Sequence, residues 1–131
     1  MYEVNALAPM CMIKYFASKI KDGSLIVNVS SEAGSIGECG RQDEYGYCMS
    51  KAAFNMASKM MSNELSGRGI KILVYHPGWL RTQMGGARAA ASPESISTLE
   101  SVECLEQIIN EFVASSEELI YIDYQNKHWE W

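Results

Sequence analysis

Apolar residues follow two alternating patterns along the chain. From Val4 to Ile20 they recur at steps of three and four, which predicts a helix with one buried face. The run from Leu25 to Val29 is short, continuous and rich in β-branched residues, as is typical of a strand buried on both sides of a parallel sheet. The residues expected on the buried face of the helix are Ala6, Met10, Ile13, Ala17 and Ile20.

The same alternation of helix and strand continues to the end of the chain. It predicts a helix from Tyr45 to Ser66, a strand from Ile70 to Tyr75, a helix starting at Ser92-Pro93-Glu94 and a strand from Leu119 to Ile122. The second helix is expected to bury Met49, Ala52, Ala53, Met56, Ala57, Met60 and Leu65, and the third Val102, Leu105, Ile108, Ile109 and Phe112. This order indicates an α/β fold with a parallel sheet.

Two segments lack either period. Residues 32–44 contain Gly34, Gly37 and Gly40, and they are interpreted as a flexible loop because a phosphate-binding loop follows a strand and opens a helix directly. The segment through Gly85-Gly86 is expected to be mobile. Neither segment is long enough to separate two domains, so residues 1–131 are expected to form one domain.

Composition narrows the class of protein. The 131 residues carry a net charge of -5 and are 47% hydrophobic, which describes a folded globular domain rather than a disordered chain. The longest basic grouping is Lys19-Ile20-Lys21, which argues against nucleic-acid binding. No run of 18 apolar residues predicts a membrane span, and Glu3 stands where a signal peptide carries positive charge, so a cytoplasmic protein is expected. The four cysteines have no metal-binding spacing, and reduced thiols without a metal site are expected.

One pair of residues points to acid/base chemistry. Tyr47 and Lys51 are four apart on the predicted second helix, so they lie on the same face. A lysine ammonium there stabilises a tyrosinate and allows the phenol to exchange a proton with a carbonyl or alcohol. The spacing alone is weak evidence, because Tyr15 and Lys19 repeat it. Only Tyr47 and Lys51 follow a strand that ends in serines, Ser30-Ser31.

Three motifs in order resemble the carboxyl-terminal half of a short-chain dehydrogenase/reductase. They are Val27-Asn28-Val29-Ser30-Ser31, the stretch Tyr45-Gly46-Tyr47-Cys48-Met49-Ser50-Lys51-Ala52-Ala53, and His76-Pro77-Gly78-Trp79-Leu80-Arg81-Thr82. The third motif and the ending Tyr121-Ile122-Asp123-Tyr124 look most like the carbonyl-reductase-like, C-factor-like branch. The resemblance implies a partial Rossmann-like, doubly wound parallel sheet, namely its last three strands with their flanking helices.

The resemblance also implies roles for individual residues. Tyr47 would be the acid/base, Lys51 would activate it and hold the nicotinamide ribose, and Ser31 would bind the substrate oxygen. Ser30 is the competing serine, because the 16 residues from Ser31 to Tyr47 are more than the family usually shows. The positions that match the stretch holding the nicotinamide carboxamide are Pro77, Gly78, Leu80 and Thr82.

Asn5 matches the family's fourth catalytic residue, whose carbonyl usually holds a water. Pro9 has no N–H, so in a continuous helix the carbonyl of Asn5 would lack its partner and be free for that water. Alternatively, Pro9 lies in a first helical turn, where a missing N–H costs little. The sequence leaves both accounts open.

The resemblance implies that the glycine-rich dinucleotide-binding half is absent from these residues, since only 30 residues precede Ser31. The edge of strand Leu25–Val29 would then be uncovered, and a homo-oligomer is expected. Two functions remain open. One is an oxidoreductase that uses NAD or NADP on a small carbonyl or alcohol, and the other is a non-catalytic half-enzyme that acts as a binding or assembly module.

Overall fold

The computed structural model describes all 131 residues and contains a sheet of three parallel strands. They are β1 (Leu25–Val29), β2 (Lys71–His76) and β3 (Leu119–Asp123), in the order β1-β2-β3. Ile26 pairs with Ile72, and Leu73 pairs with Ile120. The predicted α/β fold with a parallel sheet is confirmed, and each predicted strand agrees with the structure to within one residue at either end.

The amino-terminal helical segment consists of three consecutive parts. A π-helical turn (Glu3–Leu7) leads into α1 (Ala8–Phe16), which ends in a 3-10 turn (Ala17–Lys19). The predicted face is the one turned towards the protein, but its burial is shallow: Ala6 is fully buried, the other four residues are half-buried, and α1 has no fully buried residue. Met12 and Tyr15 are 61% and 71% exposed, since no other part of the chain covers the outer side of α1.

The helix α2 (Tyr45–Leu65) has the predicted bounds to within one residue, but only part of the predicted buried face is buried. Met49, Met56 and Met60 are exposed, each by more than 60%. The side chains directed into the protein include four small polar ones together with three apolar ones: Ser50, Asn55, Ser58, Ser62, Phe54, Met61 and Leu65. Asn28 on β1 and Ser30 directly after it supply hydrogen-bond partners for Ser58 and Asn55, and these buried pairs lie on the face of α2 that is turned to the sheet.

The segment between β2 and β3 contains two helices where one was predicted. α3 (Gly86–Ala91) forms in the alanine-rich segment expected to be mobile, and α4 (Thr98–Ala114) begins five residues later than predicted. Ser97 sets that start through a capping box, in which its hydroxyl accepts the Glu100 N–H while the Glu100 carboxylate accepts the Ser97 N–H. Ser92-Pro93 therefore ends a helix instead of starting one.

Side chains on the two faces of the sheet form separate cores. On one face, α4 packs on Leu73, Tyr75, Ile120 and Ile122 through Ile108 and Phe112. On the other face, α2 contributes Met61 to a smaller cluster with Ile72, Val74 and Tyr121. The sheet alternation places His76 on this α2 face.

One edge of the sheet is open and the other is partly covered. β1 pairs only with β2, and Ser30 N–H donates to the Tyr75 carbonyl, so by alternation the backbone groups of Val29 point to the open edge. Beside β3, residues 127–131 run back as an antiparallel segment, with Trp129 N–H donating to the Tyr121 carbonyl.

None of the helices combines the length and the apolar composition that a membrane-spanning helix needs.

The segment 127–131, called here the carboxyl-terminal strap, holds the loop that follows Ser31. The Ser35 hydroxyl donates to the Glu130 carbonyl at 2.5 Å, and the Gly37 N–H donates to the Trp131 carbonyl at 3.1 Å. The Glu130 N–H donates to Glu38 Oε1 at 3.0 Å. The glycines of this loop predicted flexibility along its whole length. The structure instead shows that contacts with the strap hold part of the loop in place.

Candidate active site

The two serines after β1 have different partners. The Ser30 hydroxyl donates to Asn55 Oδ1 at 2.6 Å, inside the contact between β1 and α2. The Ser31 hydroxyl accepts the Ala33 N–H at 3.2 Å and donates to Glu32 Oε2 at 2.6 Å. Ser30 is therefore bonded inside the protein, whereas Ser31 belongs to a group of charged side chains at the carboxyl end of the sheet.

Gly34 allows α2 to approach the loop that carries these serines. A Cβ at Gly34 would lie 2.7 Å from Asn55 Nδ2 and 3.0 Å from the backbone of Lys51. The close approach requires glycine here, so the interpretation of Gly34 as loop flexibility is wrong. Lys51, on the first turns of α2, is brought against the end of β1 by this contact.

Tyr47 and Lys51 are neighbours in the structure. Lys51 Nζ lies 5.9 Å from the centroid of the Tyr47 ring and donates to the Val29 carbonyl at 3.2 Å. Burial lowers the pKa of the half-buried Lys51 ammonium, because removal from water disfavours the charged form. One of its three N–H donors is used by Val29, and the other two are available for a ligand.

A cluster of charged groups centred on Glu32 links Ser31 to Tyr47. Arg41 Nε donates to Glu32 Oε1 at 2.9 Å, and the Arg41 guanidinium lies 5.7 Å from the Tyr47 ring centroid. Arg41 also pairs with Glu44, and His76 Nε2 lies 3.8 Å from Glu32 Oε2. Sequence reasoning missed Glu32 and Arg41, because a loop without periodicity does not show that residues nine apart meet.

The pKa values of Glu32 and His76 both lie below their ordinary values, for different reasons. Burial acts to raise the pKa of Glu32, but hydrogen bonds from Ser31 and Arg41 and the Arg41 charge outweigh it, and the pKa lies below its ordinary value. Burial lowers the pKa of His76, although Glu32 and Asp123 partly oppose this effect. His76 Nδ1 is buried without a hydrogen-bond partner. A neutral imidazole thus faces an ionised carboxylate at neutral pH.

Asn5 is joined to the start of α2 by two hydrogen bonds. Its Nδ2 donates to the Ser50 hydroxyl at 3.1 Å, and that hydroxyl donates to the Tyr47 carbonyl at 2.7 Å. Pro9 lies at the start of α1 but inside a continuous helical segment, since Leu7 and Ala8 before it already have helical backbone angles. A π-helical turn precedes it, closed by the Ala8 N–H bonding to the Glu3 carbonyl.

The four residues of the third motif that were matched to the nicotinamide site make contacts in different parts of the structure. The Pro77 carbonyl accepts the Ser101 hydroxyl at 2.8 Å. Gly78 has a φ of +85° and would clash with the Tyr124 ring if it carried a Cβ, so only glycine allows this turn. Leu80 pairs with Ile96, and the Thr82 hydroxyl accepts the Gly85 N–H at 3.2 Å. The Thr82 side chain forms no hydrogen bond with Ser31, Tyr47 or Lys51.

Two features of the site are suited to the nicotinamide end of a dinucleotide: the free donors of Lys51 and the turn at Gly78. The Lys51 ammonium keeps two free donors beside the Tyr47 ring, and hydroxyl oxygens are suitable acceptors for them. The backbone turn at Gly78 and Ser31 both lie at the carboxyl ends of the strands, since His76, at the end of β2, contacts Glu32. The residues present therefore fit the nicotinamide end of a dinucleotide.

Comparisons with known proteins decide the family. The sequence profile described as short chain dehydrogenase matches residues 1–93. The chain belongs to the short-chain dehydrogenase/reductase family. Among the curated proteins of this family it is 36% identical over 98 residues to C-signal of Myxococcus xanthus, covering 72% of this chain and 59% of that protein.

Solved structures of the short-chain dehydrogenase/reductase family also resemble the chain over nearly its whole length. NADPH-bound carbonyl reductase from chicken fatty liver has a TM-score of 0.87 at 26% identity, covering 99% of this chain and 55% of that one. A Burkholderia multivorans short-chain dehydrogenase/reductase with bound NADP has a TM-score of 0.84 at 28% identity, covering 97% and 52%. The chain thus spans between half and three fifths of the length of these relatives.

Proposed function

We propose that the chain provides the catalytic part of an NAD(P)-dependent short-chain oxidoreductase that acts on a small carbonyl or alcohol. The observation that carries this proposal is the placement of Tyr47 beside the half-buried Lys51 ammonium, at the end of the strand that leads into Ser31. Tyr15 and Lys19 have the same spacing and a similar distance of 5.5 Å, but Tyr15 is 71% exposed. Burial and the adjoining serine distinguish the Tyr47 pair from the Tyr15 pair.

Each residue has a role in proton transfer. The Tyr47 hydroxyl would exchange a proton with the substrate oxygen, with the Lys51 ammonium beside its ring. Ser31 hydrogen-bonds to the same substrate oxygen, and the bond from Ser30 to Asn55 supports this choice of serine. Asn5 positions the first turn of α2 through Ser50. A bound nicotinamide would supply or accept the hydride.

Residues of the second and third motifs would hold the cofactor. Tyr47 and Lys51 would hold the ribose, and the stretch containing Pro77, Gly78, Leu80 and Thr82 would hold the nicotinamide carboxamide. Relatives of known structure that contain NADP or NADPH support this assignment to the family's nicotinamide cofactors. The choice between NAD and NADP falls to residues outside these motifs.

Calorimetric titration of the 131-residue chain with NADH and NADPH tests the proposal. Micromolar binding of at least one of them, lost in Lys51→Ala, is the result that supports the proposal. Lys19→Ala is the matched control and should bind as the unaltered chain does, because Lys19 repeats the spacing without the site. Absence of binding at millimolar cofactor, or equal binding by both variants, would contradict the proposal.

A non-catalytic assembly module is the second candidate, and the uncovered surfaces favour it. β1 has an open edge, and large apolar side chains are exposed on α1 and α2, including Met12, Tyr15, Met56 and Met60. Such surfaces mark association sites. Under either function we expect the chain to form a homo-oligomer, and light scattering that shows a stable monomer across concentrations would exclude this.

A further inference from the structure

A groove of about 760 Å³ lies between α2, the start of β3 and the loop that follows Ser31. Its volume is typical of sites that hold a small organic molecule. Ser31, Tyr47 and Lys51 do not line it, so it is separate from the candidate active site. The side chains of α2 that line it recur at steps of three or four and form one stripe along the helix: Ala52, Asn55, Met56, Lys59, Ser62 and Asn63.

One end of the groove is apolar. α2 runs back along the sheet, because it connects β1 to the parallel strand β2, so its first turns lie at the carboxyl ends of the strands. Met56 lines the groove at this end, where the loop and the strap add Ile36 and Trp131. All three large side chains are exposed. Exposed apolar groups on a concave surface are suited to the apolar part of a ligand.

The other end of the groove has charged side chains on both of its walls. Lys59 lies on α2, and Glu117 and Glu118 directly precede β3. None of the three takes part in an ion pair. An ammonium and two carboxylates thus line the same end from opposite sides, too far apart to bond to each other.

Ser62 adds a buried polar group to the charged end. It is 3% exposed, yet its hydroxyl has no hydrogen-bond partner in the protein. Ser58, one turn earlier, shows the usual state of a buried serine, because its hydroxyl accepts Asn28 Nδ2 and donates to the Phe54 carbonyl. The Ser62 hydroxyl lines the groove instead, where it is left for a bound molecule.

We propose that the groove binds a free α-amino acid with a large apolar side chain. The carboxylate of such a ligand would pair with Lys59 and accept the Ser62 hydroxyl, and its ammonium would pair with the glutamates before β3. Its side chain would lie against Met56 and Trp131. A ligand with a single charge satisfies one wall and leaves the other unpaired, so charge complementarity favours a zwitterion. This inference does not depend on the proposed function.

Three indole compounds test the proposal by ligand-observed NMR titration of the 131-residue chain at pH 7.5. The free amino acid L-tryptophan carries both charges, indole-3-propionate lacks the ammonium, and tryptamine lacks the carboxylate. We expect L-tryptophan to bind on the order of tenfold more tightly than either analogue, because each analogue loses one charge-assisted contact. The common indole ring keeps the apolar contact constant.

Variants of the two walls should separate the analogues. Lys59→Ala should weaken L-tryptophan and indole-3-propionate without weakening tryptamine. The double variant Glu117→Gln/Glu118→Gln should weaken L-tryptophan and tryptamine without weakening indole-3-propionate. Lys21→Ala and Glu103→Gln, at exposed residues outside the groove, are the matched controls and should bind all three compounds as the unaltered chain does.

Ser62→Ala distinguishes a binding role from a structural one. It should weaken L-tryptophan and leave the urea midpoint of unfolding unchanged, since the hydroxyl has no partner in the protein to lose. Circular dichroism establishes that each variant is folded. Three results would overturn the inference: no preference for L-tryptophan over both analogues, the same preference in folded Lys59→Ala and in the double glutamate variant, or no binding of L-tryptophan at millimolar concentration.

Discussion

The two faces of the sheet are held to their helices by a different balance of apolar and polar contacts. The α4 face is mainly an apolar contact in which Phe112 and Ile108 cover Leu73 and Ile120, with the Tyr75 hydroxyl donating to the Ser101 carbonyl at 2.7 Å. The α2 face adds to its smaller apolar cluster a set of buried hydrogen bonds, such as Asn28 Nδ2 to the Ser58 hydroxyl at 2.8 Å. An apolar contact needs area and volume, whereas a buried polar contact needs each donor to meet an acceptor. The α2 face is therefore the one that fixes position, and it is the face that carries Tyr47 and Lys51.

The largest effect should follow from reducing the apolar contact. Phe112→Ala removes a side chain that is 3% exposed and should lower the free energy of unfolding by about 3–5 kcal/mol, through lost burial and the cavity that remains. Met60→Ala is the control, since Met60 is 63% exposed, and it should change stability by less than about 0.5 kcal/mol. Urea unfolding followed by circular dichroism measures both. Similar losses in the two variants would show that Phe112 does not make the buried apolar contact described here.

A smaller loss should follow from breaking one polar contact. Ser58→Ala leaves Asn28 Nδ2 buried without its acceptor and should cost about 1–3 kcal/mol in the same assay. The double variant Asn28→Val/Ser58→Ala replaces both partners with apolar groups and should lose no more than the single variant. Additive losses would mean that the hydrogen bond itself contributes little. Ser18→Ala, at an exposed serine, provides the baseline.

The pH dependence of the free energy of unfolding should depend on His76, which ends β2 on the side of the sheet covered by α2. The pKa of His76 is lowered in the folded chain by burial, so the unfolded chain takes up a proton first as the pH falls below about 6.5. The free energy of unfolding should therefore decrease from pH 7 towards pH 5. His76→Asn should flatten this acid limb, and His128→Asn, at an exposed histidine, should leave it unchanged. An identical limb in all three proteins would show that His76 is as readily protonated folded as unfolded.

The same contrast explains which parts of the fold could be predicted from the sequence. β1, β2 and β3 are apolar runs, and the order of helices and strands follows from them because burial decides their structure. The face of α2 could not be predicted from apolar spacing, since Asn55 and Ser58 are buried by partners far along the chain. The start of α4 had a local signal, Ser97 with Glu100 three residues later, but Ser92-Pro93 competed with it.

The candidate site divides in a similar way. Tyr47 with Lys51 is predictable because the two residues share one helix, and the serine pair is predictable because it ends a strand. Glu32 and Arg41 were not, since their meeting depends on the path of an irregular loop. Leu80 and Thr82 match a motif, yet their contacts are local to the segment after β2. Motif order locates the site, and only the tertiary contacts show which charges surround it.

The carboxyl-terminal strap has a consequence for the time at which the site can form. Its contacts with the loop after Ser31 join residues 89 to 95 positions apart, so residues 35–38 of this loop gain these partners only after residues 127–131 have been synthesised. Closing so long a segment costs more chain entropy than closing a hairpin, and such contacts form late in folding. The nascent chain can build α2 early, from neighbours in sequence. Residues 35–38 wait for residues 127–131, so during synthesis the helix that carries Tyr47 and Lys51 forms before this part of the loop is held in place.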